Sequence, residues 1–179
     1  MLGPTSASQV RRLLDSLPLY IPFWFVGTLI LLLLRPRDVR WWLLISFNYV
    51  TALWLAAGAH SFRGVAYASP VQHAFAWLLT SLYLHLHLTV PSSFLRQHGR
   101  FLPIYIIAVV LAILELFQVL SGTIFYLGLL LAFVGSFGIL IFRLLVRGSS
   151  DRLAVRLMLV GTGLAFGPGI LLRVIPLFM

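Results

Sequence analysis

The sequence predicts an all-α, polytopic integral membrane protein: a helical bundle of about six transmembrane helices joined by short loops. Three observations predict it. Of the 179 residues, 61% are hydrophobic and only 9% charged, with a mean hydropathy of +1.04, whereas soluble domains carry about 25% charged residues. The apolar residues fall into runs that suit a hydrocarbon core of about 30 Å, which takes roughly 20 residues per helix. These runs are apolar all round, unlike the alternating apolar and polar strands of outer-membrane barrels.

Residues 1–17 precede the first run and read as a surface amphipathic helix or a disordered tail, with Arg11, Arg12 and Asp15 polar and Val10, Leu13 and Leu14 apolar. Residues 18–179 form one transmembrane domain. Its first helix spans about 18–34 and stops at Arg35, Pro36 and Arg37, with no small-residue cleavage site, so it reads as retained rather than as a signal peptide. Trp41 and Trp42 open the second helix, about 41–59, where paired indoles suit the interfacial belt. The third, about 70–90, starts at Ser69-Pro70, a capping hydroxyl followed by a proline, and closes at Pro91. The fourth, about 101–120, carries Pro103 in its first turn, where a missing amide hydrogen costs little. Ser121-Gly122 makes a turn into the fifth, about 123–145, and the Arg-rich stretch 147–152 separates that from the sixth, about 153–175.

All 13 basic residues are arginine, against Asp15, Asp38, Glu115 and Asp151, and the formal net charge is +9. The arginines stand singly or in small groups between apolar runs, which fits the positive-inside rule and not a nucleic-acid surface. The loops after the first, third and fifth helices take Arg35, Arg37, Arg40, Arg96, Arg100, Arg143, Arg147, Arg152 and Arg156. Arg11, Arg12, Arg63 and Arg173 lie on the other side. That asymmetry places both termini outside the cytoplasm. No cysteine is present, so disulfides, thiolate metal sites and a cysteine nucleophile are excluded.

Short loops leave no room for a soluble catalytic domain, so the residues of interest are polar groups at membrane depth. His73, Thr80 and His87 follow helical spacing on the third helix and make one polar stripe. Glu115 lies about 21 Å along the fourth helix at 1.5 Å per residue, level with His73, and Gln118 follows it. A His73–Glu115 pair has two readings, a sensor of protons or ligand and a purely structural contact. His85 and His87 point apart and read as interfacial, unable to chelate one ion together. No metal or other cofactor is expected; haem held by His73 and His87, 14 residues apart on one face, is the alternative and lacks a matching pair on a second helix. Gly128, Ala132 and Ser136 on the fifth helix and Gly163 and Gly167 on the sixth form close-packing seams. Gly167-Pro168 is expected to break or kink the sixth helix, either as a hinge or as a packing notch.

Three pieces of the chain resemble the membrane-embedded amino-terminal region of bacterial sensor histidine kinases of the competence type. They are Leu34-Arg35-Pro36-Arg37-Asp38, His85-Leu86-His87-Leu88-Thr89-Val90-Pro91, and residues 151–176 with Gly161-Thr162-Gly163, Gly167-Pro168 and Ile175-Pro176. The resemblance implies a signal-input module that acts on a cytoplasmic kinase through helix rearrangement. The phosphoacceptor histidine box and the ATP-binding segment of that family are absent here, so the expectation is a split, truncated or standalone module, non-catalytic by itself. The expected partners are the lipid bilayer, a kinase or other membrane subunits, and a second copy of the chain. A small accessory subunit of a larger membrane complex is the rival reading. A transporter lacks support from any internal repeat, and the scattered acids do not compose an enzyme site.

Overall fold

The computed structural model describes residues 18–34, 38–90, 101–146 and 152–174, with side chains described through Leu164. The expected surface segment 1–17 lies outside the described residues. So do Arg35–Arg37, the stretch 91–100 with Arg96 and Arg100, the stretch 147–151, and Ile175-Pro176.

Among the described residues there are six α-helices and no strand: α1 Tyr20–Leu33, α2 Val39–Phe62, α3 Ala68–Thr89, α4 Leu102–Leu116, α5 Phe125–Val146 and α6 Arg152–Val174. The all-α class therefore holds. By length and composition α2 and α5 are able to cross a membrane, while α1 and α4 are apolar but shorter.

Residue pairs across the interfaces give the topology. The Trp41 indole donates to the Ile30 carbonyl at 3.0 Å, and a Cβ on Gly27 would lie 3.1 Å from that of Asn48, so α1 and α2 are antiparallel. Phe47 stacks on Tyr83 and Gly58 faces Gln72, which sets α3 antiparallel to α2. Further along, α4 returns against α3 with Tyr105 beside His85 and Glu115 beside Trp77. Gly128 meets Trp77, Gly135 meets Leu84 and Arg143 reaches His87, so α5 runs parallel to α3. Gly163 lies beside Phe137 and brings α6 back along α5. Helix α3 is thus central, packed by α2, α4 and α5, and it is buried on all sides.

The side chains are distributed inside out. Exposed positions are filled by Leu, Ile, Val, Phe and Trp, whereas Asn48, Thr51, Thr80, Ser81, Glu115, Ser136 and Arg143 are buried. In water this would leave large apolar areas wet while the interior carried the cost of polar groups. Several of these are tied locally: Asn48 and Thr51 donate to the carbonyls of Leu44 and Phe47 one turn earlier, at 2.8 and 2.7 Å.

Several helix ends differ from expectation, each for a local reason. Helix α2 starts at Val39 rather than Trp41, because the Asp38 carboxylate accepts from the Trp41 amide at 3.0 Å and caps the helix, a bond worth about 1 kcal/mol. Helix α3 starts at Ala68, after Tyr67 in the left-handed region at φ 60°. Ser69 is therefore inside the helix and its hydroxyl is turned to His73 instead of capping. Helix α4 stops at Leu116, not Leu120. Val119 N–H bonds back to Leu114 O at 3.0 Å and Gln118 N–H to Glu115 O at 2.9 Å, the six-to-one and five-to-two closure of a helix whose next residue is left-handed. That residue is Gln118, at φ 55°. The break expected at Gly167-Pro168 does not occur, since α6 is continuous to Val174. A proline removes one hydrogen bond of the ladder, and a helix survives that loss where its neighbours continue the pattern.

Candidate functional site

The polar residues of α3 assemble two clusters, one at each end of that helix. At the α3 N-terminal end, His73 and Glu115 come together as their equal depth suggested: His73 Nδ1 lies 3.4 Å from Glu115 Oε2. The other carboxylate oxygen, Oε1, accepts from the Trp77 indole at 3.4 Å. Glu115 is 2% exposed and His73 14%. The antiparallel α3–α4 pair makes this meeting possible, since α4 ends where α3 begins. His73 Nε2 is 3.3 Å from the Ser69 hydroxyl, and its ring lies flat on Phe125 with centroids 4.0 Å apart. Three helices thus hold one imidazole. With the carboxylate ionised, Nδ1 carries the hydrogen that faces it.

Gln118, expected to extend this polar face, is exposed beyond the helix end, and its role is to terminate α4. Thr80 lies two turns along α3 from His73. Its hydroxyl sits 2.9 Å from Ala76 O and 2.8 Å from Gly128 O, so it bridges α3 to α5. Gly128, Ala132 and Ser136 lie on the buried face of α5, continued by Leu140 and Arg143. At Gly128 a Cβ would press on Trp77 at 3.0 and 3.1 Å and on the Thr80 hydroxyl at 3.3 Å, so the close approach depends on the missing side chain. Gly163 is less constrained, with the Phe137 ring at an ordinary 3.6 Å. Gly167 and Pro168 lie in α6, beyond the described side chains.

The second cluster, at the α3 C-terminal end, corrects the interfacial reading of its histidines: His85 is 6% and His87 3% exposed. His85 Nδ1 is 2.9 Å from the Tyr105 hydroxyl, and the ring stacks on Phe101. His87 Nδ1 is 2.8 Å from the Tyr83 carbonyl and its Nε2 is 3.3 Å from the Thr162 hydroxyl, which in turn lies 2.9 Å from the Tyr83 hydroxyl. Arg143, 1% exposed, donates from one terminal nitrogen to His87 O at 2.5 Å and to Val90 O at 2.6 Å. It satisfies carbonyls at the negative end of the α3 dipole.

The sequence singles out His87 but neither Arg143 nor Thr162 beside it: Arg143 reads there as a loop charge marking topology, and Thr162 stands between two glycines. The available signal was that Arg143 is spaced at helical intervals with Gly128, Ala132, Ser136 and Leu140, which puts it on the seam. Both nitrogens of His73 and of His87 face protein partners, so ligation of a haem iron would have to break a contact on each ring. Among the described residues, no group of three or more His, Asp or Glu is placed to hold a metal ion.

What this arrangement can do chemically is hold hydrogen bonds and charge in a dry interior at both ends of one central helix. No protein-family model, curated protein or solved structure matches the chain.

Proposed function

We propose that the chain is a six-span membrane protein that acts as a signal-input module, non-catalytic by itself, passing a stimulus from the extracytoplasmic end of α3 to its cytoplasmic end. The observation that carries this reading is the placement of two buried polar clusters, His73–Glu115 and Tyr83–His87–Arg143–Thr162, on one helix whose surroundings are otherwise apolar. Ionisable groups in a low-dielectric interior are costly and persist where function or a partner requires them. A proton or small ligand that alters the His73–Glu115 contact also acts on Trp77, Phe125 and the α3–α5 seam directly below. The resemblance to the input regions of competence-type sensor kinases supports the same role, with a kinase as the receiving partner.

Six spans make a defined topology, and the absence of cysteine makes it simple to test. Single cysteines at Gly64 and Gly122 should react with a membrane-impermeant maleimide from outside intact cells, and one at Asp38 only after permeabilisation. The reverse pattern, or uniform reactivity, would refute the arrangement. Purification in mild detergent tests the role: capture of a kinase supports signalling, whereas a fixed set of other membrane subunits overturns it. The second outcome is favoured by one observation, a groove on α1 formed by Tyr20, Ile21, Trp24, Phe25 and Thr28, whose lining is almost wholly apolar.

A further inference from the structure

Helix α6 is held to the bundle differently from the others. It packs along α5, and its buried residues among the described ones are Val155 and Thr162, two turns apart on one narrow stripe. At Thr162 the contact is polar and reaches past α5 to α3. The geometry orients this contact fully. The Tyr83 carbonyl can only accept, so His87 Nδ1 carries a hydrogen toward it. In the neutral ring Nε2 must then accept from the Thr162 hydroxyl, and the Thr162 oxygen accepts from the Tyr83 hydroxyl. The chain of bonds therefore runs from Tyr83 through Thr162 to His87 and closes on the Tyr83 backbone. Thr162 both donates and accepts, and so ties α6 to α3 across α5. Arg143 donates to the His87 backbone carbonyl, so this end of α3 is tied to α5 by the arginine and to α6 by the Thr162 hydroxyl.

We propose that α6 is a releasable helix, latched to α3 by the Thr162 hydroxyl, and that release of this latch is a conformational change built into the fold. The inference concerns the mechanics of α6 and does not require the signalling role. A latch made of one hydroxyl suits a switch, because the hydrogen-bonded closure has one fitting position.

The test is a distance measurement between paired spin labels on the full chain in lipid nanodiscs, with cysteines placed at the exposed Leu53 of α2 and Leu157 of α6. A second pair, Leu53 and the exposed Leu130 of α5, reports on the rest of the bundle. Thr162→Val removes the hydroxyl at nearly constant volume. Loss of one such bond and the stranding of a buried acceptor shift an equilibrium by roughly ten- to a hundredfold. A docked helix released in about one molecule in a hundred should then show a second Leu53–Leu157 distance, with the Leu53–Leu130 distance unchanged. Thr162→Ser, which keeps the hydroxyl, should restore the single distance, and Thr162→Ala gives the same readout should the valine variant not fold. A single unaltered Leu53–Leu157 distance in both hydroxyl-free variants overturns the latch. Equal broadening of both distances also overturns it, because the whole bundle would then have loosened.

Discussion

Replacing Gly128 by alanine puts the α3–α5 seam to a quantitative test. In a helix interior this change ordinarily stabilises, since glycine is about 1 kcal/mol worse than alanine there. Here the added methyl would sit 3.0 and 3.1 Å from the Trp77 ring and 3.3 Å from the Thr80 hydroxyl. The ring cannot swing clear easily, because its indole nitrogen is tied to Glu115 and its face is enclosed in the core. The helices must separate by a few tenths of an ångström, which also stretches the 2.8 Å bond from Thr80 to the Gly128 carbonyl. Overpacking of this kind costs about 1–3 kcal/mol, so the expected net effect is a destabilisation of roughly 0–2 kcal/mol after the gain in helix propensity. Gly138 is the control, with nothing among the described residues beyond its own helix within 4 Å of an added Cβ, and Gly138→Ala should keep the propensity gain. Thermal unfolding in one detergent should therefore give opposite signs for the two variants, separated by roughly 1–3 kcal/mol. If Gly128→Ala proves as stabilising as Gly138→Ala, the close approach of α3 and α5 is not as described.

Gln118→Gly should raise stability by about 1 kcal/mol, since a non-glycine residue at φ 55° carries a steric cost that glycine lacks; an unchanged unfolding midpoint would speak against the left-handed helix end. Glu115→Leu should lower stability by about 1–3 kcal/mol by leaving the His73 and Trp77 donors without their carboxylate. Glu115→Gln keeps an acceptor and should lose less, so a larger loss for glutamine than for leucine in the same melts would contradict the pairing. Arg143→Met preserves length and removes the donors to His87 O and Val90 O; a loss of about 1.5–3 kcal/mol per charge-assisted bond is the upper expectation, and stability equal to the parent would show that these carbonyls are satisfied otherwise.

How much of this could be read from the chain depends on whether the information is local. The helices could be read because they are long apolar runs that Arg, Pro and Ser-Gly steps punctuate. The end of α4 could not, because Phe117-Gln118-Val119-Leu120 continues the apolar run and its left-handed residue is not a glycine. The start of α2 was obscured in the same way: Asp38 reads as one more loop charge until its carboxylate is seen on the Trp41 amide. The His73–Glu115 pair was legible since two adjacent antiparallel helices of known start place the residues at one depth. The Thr162 contact was not, because it joins α6 to α3 across α5, and which face α6 presents is decided by packing rather than by a signal in its own sequence. Arg143 illustrates a deeper ambiguity: the residue that marks a cytoplasmic loop in a topology count is also the one best able to cap a buried helix end.

The central position of α3 has a consequence for how the protein is made. Its inventory of Gln72, His73, Thr80, Ser81, His85, His87 and Thr89 leaves α3 short of the apolarity that lets α2 and α5 qualify as spans on their own. Yet this is the helix that α4 and α5 pack against and that α6 bonds to through Thr162. In the proposed membrane setting α3 enters a bilayer that already holds α2, and its remaining polar groups find Glu115, Gly128 O, Arg143 and Thr162 only as α4, α5 and α6 leave the ribosome. The most buried helix is thus not one that qualifies to insert unaided, and in that setting its stay in the membrane is secured by segments synthesised after it.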